Sequence, residues 1–213
     1  MKKNLVFALL VSSLIANAFA GFKEGVAAYE AGNLPLAVKE FRGAAEKGDA
    51  DSQFNIGLMY EQGIGVSKNE VEAAAWYRKS AEQGNSNAQY NLAVLYENGR
   101  GTKVDFAQAL QWYRKAAAQG DELAVGNLGM LYVRGQGVNE NKVAGLALLL
   151  LSVAMKDSPE NHAKQNISHL RGVTPEVVTE AQALAEKMRS AKNLLAPLDQ
   201  YLQKGAIKAG GKS

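Results

Sequence analysis

A period of 36 residues constrains this chain more than any other feature. Gly48, Gly84 and Gly120 lie 36 apart, as do Asn55, Asn91 and Asn127. Tyr60, Tyr96 and Tyr132 follow the same interval, with Gly63, Gly99 and Gly135, and Gly65, Gly101 and Gly137. Trp76 and Trp112 continue the series, and the next equivalent position is Leu148. Five positions in register three times define a copied structural unit. A unit of this length cannot bury its apolar face alone, so neighbours must stack into one elongated core.

Each unit reads as two helices. In the second copy Ala88, Leu92, Leu95 and Tyr96 form an i, i+4, i+7, i+8 apolar face, and Asn98-Gly99-Arg100-Gly101 breaks it. The second helix is expected to start after Asn69, Asp105 or Asn141, with Glu72 and Gln108 at the capping-box position. Asp49, Asn85 and Asp121 follow the closing glycines and can cap the first helices. Gly57, Ala93 and Gly129 are small residues inside first helices, where a glycine costs about 1 kcal/mol against alanine. Close helix–helix approach would offset that cost.

These features resemble the Sel-1-like repeat family, relatives of the tetratricopeptide repeats. The matching motif is AQYNLAVLYENGRG (88–101) followed by ALQWYRKAAAQG (109–120). The resemblance covers about Phe22 to Ser190, and LRGVTPEVVTEAQALAEKM (170–188) is similar to a closing segment of bacterial members. Tyr29 to Phe41 is shorter than Tyr60 to Tyr77, so the leading unit looks tetratricopeptide-like. The resemblance implies an all-α, right-handed α-solenoid superhelix of antiparallel helix-pair repeats. First helices would line an inner surface, and members would serve as adaptors for protein assembly rather than as catalysts. The expected organisation is a signal peptide over 1–20, a leading repeat over 21–48, and Sel-1-like repeats over 49–84, 85–120 and 121–156. Degenerate capping helices over 157–190 follow, then a cap segment and basic tail over 191–213.

WYRKSAEQG (76–84) and WYRKAAAQG (112–120) pair aromatics with Arg-Lys, a pattern that could stack and clamp a nucleic acid. On a helix, however, Ala73, Tyr77, Ser80, Ala81 and Gly84 share one face, with Trp76 at its border and Arg78 and Lys79 pointing away. The motif therefore reads as core aromatics beside a solvated charged face, and no nucleic-acid partner is expected.

The first helix is more informative. Ser52, Ile56, Met59 and Tyr60 cluster on one side, while Phe54, Leu58 and Glu61 lie nearly opposite at 100° per residue. The equivalents are Tyr90, Val94 and Glu97, then Gly126, Met130 and Val133. The side away from the core is thus partly apolar. It is either a groove for a protein or peptide partner or a surface that neighbouring first helices bury against each other. Asn55, Asn91 and Asn127 flank this stripe, and their amides could hold an extended backbone or bond between repeats. The candidate partner-binding set is Phe54, Asn55, Leu58, Tyr90, Asn91, Val94, Asn127 and Met130.

No catalytic constellation, cofactor motif or metal site stands out. His162 and His169, the only histidines, lie seven apart on an expected helix without a third ligand. Gly63-Ile64-Gly65 and its copies end a helix rather than opening one after a strand, unlike a phosphate loop. An envelope hydrolase would need a convergent polar site, and none is found.

Met1-Lys2-Lys3, the apolar run Leu5 to Ile15 and Ala18-Phe19-Ala20 read as a secretory signal peptide cleaved after Ala20. Losing Lys2 and Lys3 lowers the formal charge of +3 by two, which leaves little electrostatic pull toward nucleic acid. The chain has no cysteine, so disulfides, thiolate metal sites and a lipid on an N-terminal Cys are not expected.

Leu148-Leu149-Leu150-Leu151 stands where WYRK stands upstream. Two leucines at the Arg and Lys positions could gain about 3–6 kcal/mol on burial, so something must cover them. The expected helix at Pro175 to Ser190, the segment Leu194 to Leu202 or a partner could do so. The basic tail reads as frayed, with Pro197 opposing one continuous helix, and is not taken as a membrane anchor. The sequence thus points to an exported, periplasmic or secreted, non-enzymatic scaffold that binds a protein or peptide partner on the inner surface of the solenoid. Neutralisation of a toxic effector is the alternative role, and the oligomeric state stays open.

Overall fold

The caps foreseen in the sequence start the helices. Asp49 accepts from the Ser52 N–H at 2.7 Å, Asn85 from Ala88 at 2.9 Å and Asp121 from Ala124 at 2.8 Å. Asn69 accepts from Val71 and Glu72 at 3.1 and 3.2 Å, Asp105 from Gln108 at 2.9 Å and Asn141 from Ala144 at 2.9 Å. Each cap satisfies donors that the helix cannot satisfy internally and contributes about 1 kcal/mol. First helices stop at Gly63, Gly99 and Gly135, which take the left-handed conformation and donate to Met59, Leu95 and Leu131.

This computed structural model describes residues 21–156 and 160–210, with side chains described up to Gly205. The expected signal peptide lies outside the described residues. The described chain is all-α and falls into two compact units divided between Val104 and Asp105. Among the described residues there is no strand, and no helix is long and apolar enough to cross a membrane.

The first unit contains α1 (helical over 21–30), α2 (Leu34–Glu46), α3 (Ala50–Gln62), α4 (Glu70–Glu82) and α5 (Ser86–Asn98). Consecutive helices from α2 to α5 pack as antiparallel pairs. Ala28, Ala37, Phe41, Ala45, Ile56, Met59 and Trp76 share one core, with Phe22, Val26 and Tyr60 packed against it. The small residue expected at the helix crossing has its reason here: a Cβ on Gly57 would sit 2.8 Å from the Tyr77 ring. Gly101, in the loop after α5, approaches even more closely. A Cβ there would lie 2.0 Å from the Glu70 carbonyl oxygen in the first turn of α4.

The second unit contains α6 (Phe106–Ala118), α7 (Glu122–Arg134), α8 (Lys142–Met155), α9 (Ala163–Ser168), α10 (Pro175–Ser190) and α11 (Ala196–Gly210). Gly129 lies against the Gly145 carbonyl and Leu148, and Gly137 presses on Phe106 as Gly101 does on Glu70. One bond recurs across both units. Ser80 Oγ donates to the Ala50 carbonyl at 2.7 Å, and Ser152 Oγ donates to the Glu122 carbonyl at 2.7 Å.

The Leu148–Leu151 run is covered from within the chain. α10 packs on α8 through Ala181, Leu184, Ala185 and Met188. Leu148, Leu149 and Leu151 are buried, and half-buried Leu150 lines a shallow apolar cleft with Ala185 and Gln182. The end of the chain departs from expectation. Instead of fraying, residues from Ala196 form α11, with Leu195 and Leu198 buried. Pro197 falls in the first turn, where its missing N–H has no intrahelical partner to lose. His162 and His169, expected on one helix, instead flank the short α9 as its caps; both are exposed.

Candidate functional site

The outward side of the first helices is assembled by the same periodicity that buries their other side. On α3 the inward residues Ile56 and Met59 are buried, whereas Phe54, Asn55 and Leu58 are half-buried. On α5 Leu92 and Leu95 are buried, and Tyr90, Asn91 and Val94 are half-buried. In the second unit α7 buries Leu128 and Leu131 and leaves Asn127 and Met130 half-buried. Every residue of the candidate set therefore keeps some accessible surface, and none is fully sequestered.

In the second unit, the outward face of α7 lacks the aromatic ring that α3 and α5 carry. Gly126, at the position of Phe54 and Tyr90, is buried rather than facing outward. A Cβ there would lie 3.0 Å from Ser152 Oγ and 3.7 Å from the Ala163 Cβ. The end of α8 and the start of α9 occupy the space that an aromatic ring fills on the earlier helices.

The asparagines divide by what the preceding second helix offers. Asn127 Nδ2 donates to the Tyr113 hydroxyl at 3.0 Å, and Asn91 is hydrogen-bonded to the Tyr77 hydroxyl. Phe41 holds the equivalent position one repeat earlier and has no hydroxyl. Asn55 instead donates to the Asp51 carbonyl of its own helix at 2.8 Å. Two of the three amides thus tie a first helix to the second helix before it.

A charged network borders the stripe in the first unit. Tyr77, fully buried, stacks against Phe54 with ring centroids 5.8 Å apart and donates its hydroxyl to Glu61 Oε2 at 2.7 Å. Burial, reinforced by the Glu61 carboxylate, pushes this phenol far above the ordinary tyrosine range, so it stays a donor. Arg100 Nη2 reaches Glu61 at 3.1 Å and Glu70 at 2.7 Å, and Lys68 meets Glu70 at 3.1 Å. The hydrogen bond from Arg100, and next that from Lys68, holds the Glu70 carboxyl below its usual range. The Phe54 end of the stripe is therefore fixed by a buried aromatic contact and an ion-pair cluster.

The sequence puts Arg78 and Lys79 on a solvated face, pointing away from the packed one. Both are exposed, but both rest on aromatic rings. Lys79 Nζ lies 3.8 Å above the Trp76 ring, and Arg78 lies 5.6 Å from the Tyr96 centroid while donating to its hydroxyl. Arg42 donates to Tyr60 at 2.5 Å and Arg114 to Tyr132 at 3.5 Å. The signal was present in the sequence as an Arg–Tyr spacing of 18 residues, repeated three times.

Chemically the outward face offers aromatic and aliphatic contacts with a few amides. Among the described residues no group of three or more His, Asp or Glu could hold a metal ion.

Comparison with known proteins places these helices in context. The family model described as Sel1 repeat matches residues 50–85, 86–121 and 123–157. A curated relative from Rhizobium meliloti, an exopolysaccharide production negative regulator, is 46% identical over 55 residues, which are 26% of this chain and 20% of that protein. The crystal structure of a Sel1 repeat protein from Oxalobacter formigenes superposes with a TM-score of 0.62 at 38% identity, covering 66% of this chain and 57% of that one. A protective antigen present in uropathogenic Escherichia coli strains, displaying an SLR fold, superposes at 0.66 and 27% identity. That match covers 89% of this chain and 46% of the antigen. The chain thus spans a fifth of the curated relative and about half of each solved structure.

Proposed function

This chain belongs to the Sel1 repeat family, and from that premise we propose that it is an exported, non-enzymatic scaffold holding a protein or peptide partner on the inner surface of the solenoid, the side of its first helices turned away from the core. Repeats of this family typically mediate protein–protein interactions and are generally non-catalytic. The observation that carries the reading is the half-buried row Phe54, Leu58, Tyr90 and Val94 on α3 and α5. A face serving only solvent would be polar here, and a face serving only the core would be closed. In the second unit, Asn127 and Met130 give α7 a face of similar chemistry. Export rests on the apolar run Leu5 to Ile15 and the Ala18-Phe19-Ala20 site.

A Leu58→Glu, Val94→Glu variant tests the surface without touching the Tyr77 or Arg100 network. In pull-downs from envelope extract it should recover at least about tenfold less partner than the parent chain, because each buried charge opposes an apolar contact. Equal recovery, with unchanged thermal unfolding, overturns the outward-face reading. A secreted toxic effector as the recovered protein would give the scaffold an immunity role. Mass spectrometry of the exported protein should find Gly21 at its N-terminus, and an intact Met1 in the cytoplasmic fraction overturns export.

A further inference from the structure

The sequence WYRK occurs twice, at 76–79 and 112–115, and among the described residues only the second copy has a carboxylate paired with its arginine. In the second unit Arg114 Nη2 donates to Asp199 Oδ1 at 2.6 Å, while Lys115 Nζ lies 3.9 Å above the Trp112 ring. Asp199 belongs to the first turn of α11, and the aliphatic Leu195 and Leu198 beside it are buried. Gln111, Arg114, Lys115, Asn193, Leu195 and Asp199 line a cleft of about 370 Å³. Arg114, which also donates to the Tyr132 hydroxyl at 3.5 Å, thus receives one carboxylate from the first turn of a helix with aliphatic side chains beside it, while Lys115 lies on its tryptophan in the same cleft.

The first unit repeats the receiving half of this arrangement. Lys79 lies over Trp76 as Lys115 does over Trp112, and Arg78 donates to the Tyr96 hydroxyl as Arg114 does to that of Tyr132, with the Arg78 guanidinium also over the Tyr96 ring. Both cations are exposed, and among the described residues no carboxylate pairs with either. A guanidinium already held on a ring loses less freedom when it binds a carboxylate, and its planar fork leaves donors directed outward. Glu82 stands at the position of Ala118 and, four residues on from Arg78, opposes a densely acidic ligand.

We infer that Trp76–Lys79 with Tyr96 is a second docking site, for a partner-protein segment that presents one carboxylate with an aliphatic residue four positions before it. α11 shows the pattern in this chain, with Leu195 preceding Asp199. The occupant is a foreign segment rather than α11 of a second copy. Each copy's α11 is tethered beside its own Arg114 at an effective concentration on the order of millimolar, which a separate molecule does not match. The site differs from the first-helix face and stands or falls separately from it.

Trp112→Phe makes Trp76 the only tryptophan and hence a reporter for Lys79 above its ring. The full chain carrying this change is titrated with a synthetic peptide of sequence NLLAPLDQYLQKG (193–205), which contains no tryptophan. Trp76 emission should change saturably as the docked peptide screens the solvent-facing edge of the indole beside Lys79 from water. The same peptide with Asp199→Asn should bind about tenfold more weakly, as should the protein with Arg78→Gln, since charge-assisted bonds are the ones removed. Glu82→Ala should tighten binding a few-fold by removing a like charge. No change in Trp76 emission up to millimolar peptide overturns the proposal. Equal binding by the Asn peptide also overturns it, and that comparison leaves the receiving site unaltered. If inorganic phosphate at equal concentration moves Trp76 as far as the peptide, the aliphatic requirement fails and with it the proposed partner class.

Discussion

α4 and α8 occupy the same place in the repeat, 72 residues apart, yet their outer faces meet different surroundings. α4 ends its motif with Arg78 and Lys79, which stay in water on aromatic supports. α8 carries Leu150 and Leu151 at those positions, and α10 lies over them. The inner halves of the two helices scarcely differ: Ala73, Tyr77 and Ser80 are buried in one, and Gly145, Leu149 and Ser152 in the other. What a second helix packs against inwardly is set by the repeat. Two outer residues decide whether another element can close over it.

The largest test of this contrast exchanges the outer residues. Leu151→Lys restores the charge of the earlier repeats but places it beneath α10, and should lower unfolding free energy in urea by at least about 3 kcal/mol. The reciprocal Lys79→Leu should change stability by less than about 0.5 kcal/mol, because that position remains in water. Similar losses for both would break the contrast.

Glycines sharpen it at the next level, since identical residues again meet unlike neighbours. Gly101, at φ +63° with the Glu70 carbonyl in its path, should lose about 2–4 kcal/mol on substitution by alanine. Gly84, at φ +98°, has nothing within 4 Å of an added Cβ. Its alanine variant should lose only the conformational cost of about 1–2 kcal/mol. Denaturant melts of the two variants compare the costs directly.

Most of the helical framework was legible because it is written locally. Asp49, Asn69, Asp105 and Asn141 announce helix starts through their own side chains, and Gly57 announces a crossing through its missing Cβ. The Leu148–Leu151 run likewise announced its cover through a mismatch with Trp76–Lys79. What escaped depends on where distant segments come to rest. Arg78 reaches Tyr96 only because the pitch of the array brings positions 18 apart together. Gly126 is buried because α9, which lies outside the period, returns over it. Pro197 misled the reading of the tail because its effect depends on whether it falls in a first turn or an interior one. Of the candidate site, the apolar outward residues could be found from a helical wheel. The pairing of Asn91 with Tyr77 could not, since it requires two helices in register.

That pairing supplies the smallest test. Asn91→Ala should cost about 1–2 kcal/mol by stripping a buried hydroxyl of a partner. Asn55→Ala, which removes an exposed bond within one helix, should cost less than about 0.5 kcal/mol. Thermal unfolding of the two variants distinguishes inter-helix ties from a surface amide that has no such duty.

The loop glycines carry a consequence for how such a chain can change length. Gly101 touches the residue 31 positions before it, and Gly137 touches Phe106 at the same interval. The interval acts as a ruler inside every copy. Gain or loss of one whole 36-residue copy leaves each measured distance unaltered. Gain or loss of a few residues between the paired positions displaces the glycine from the helix start it must touch. Growth by entire modules is therefore the change in size to which this architecture is most tolerant, and small indels in these segments are the ones it should reject.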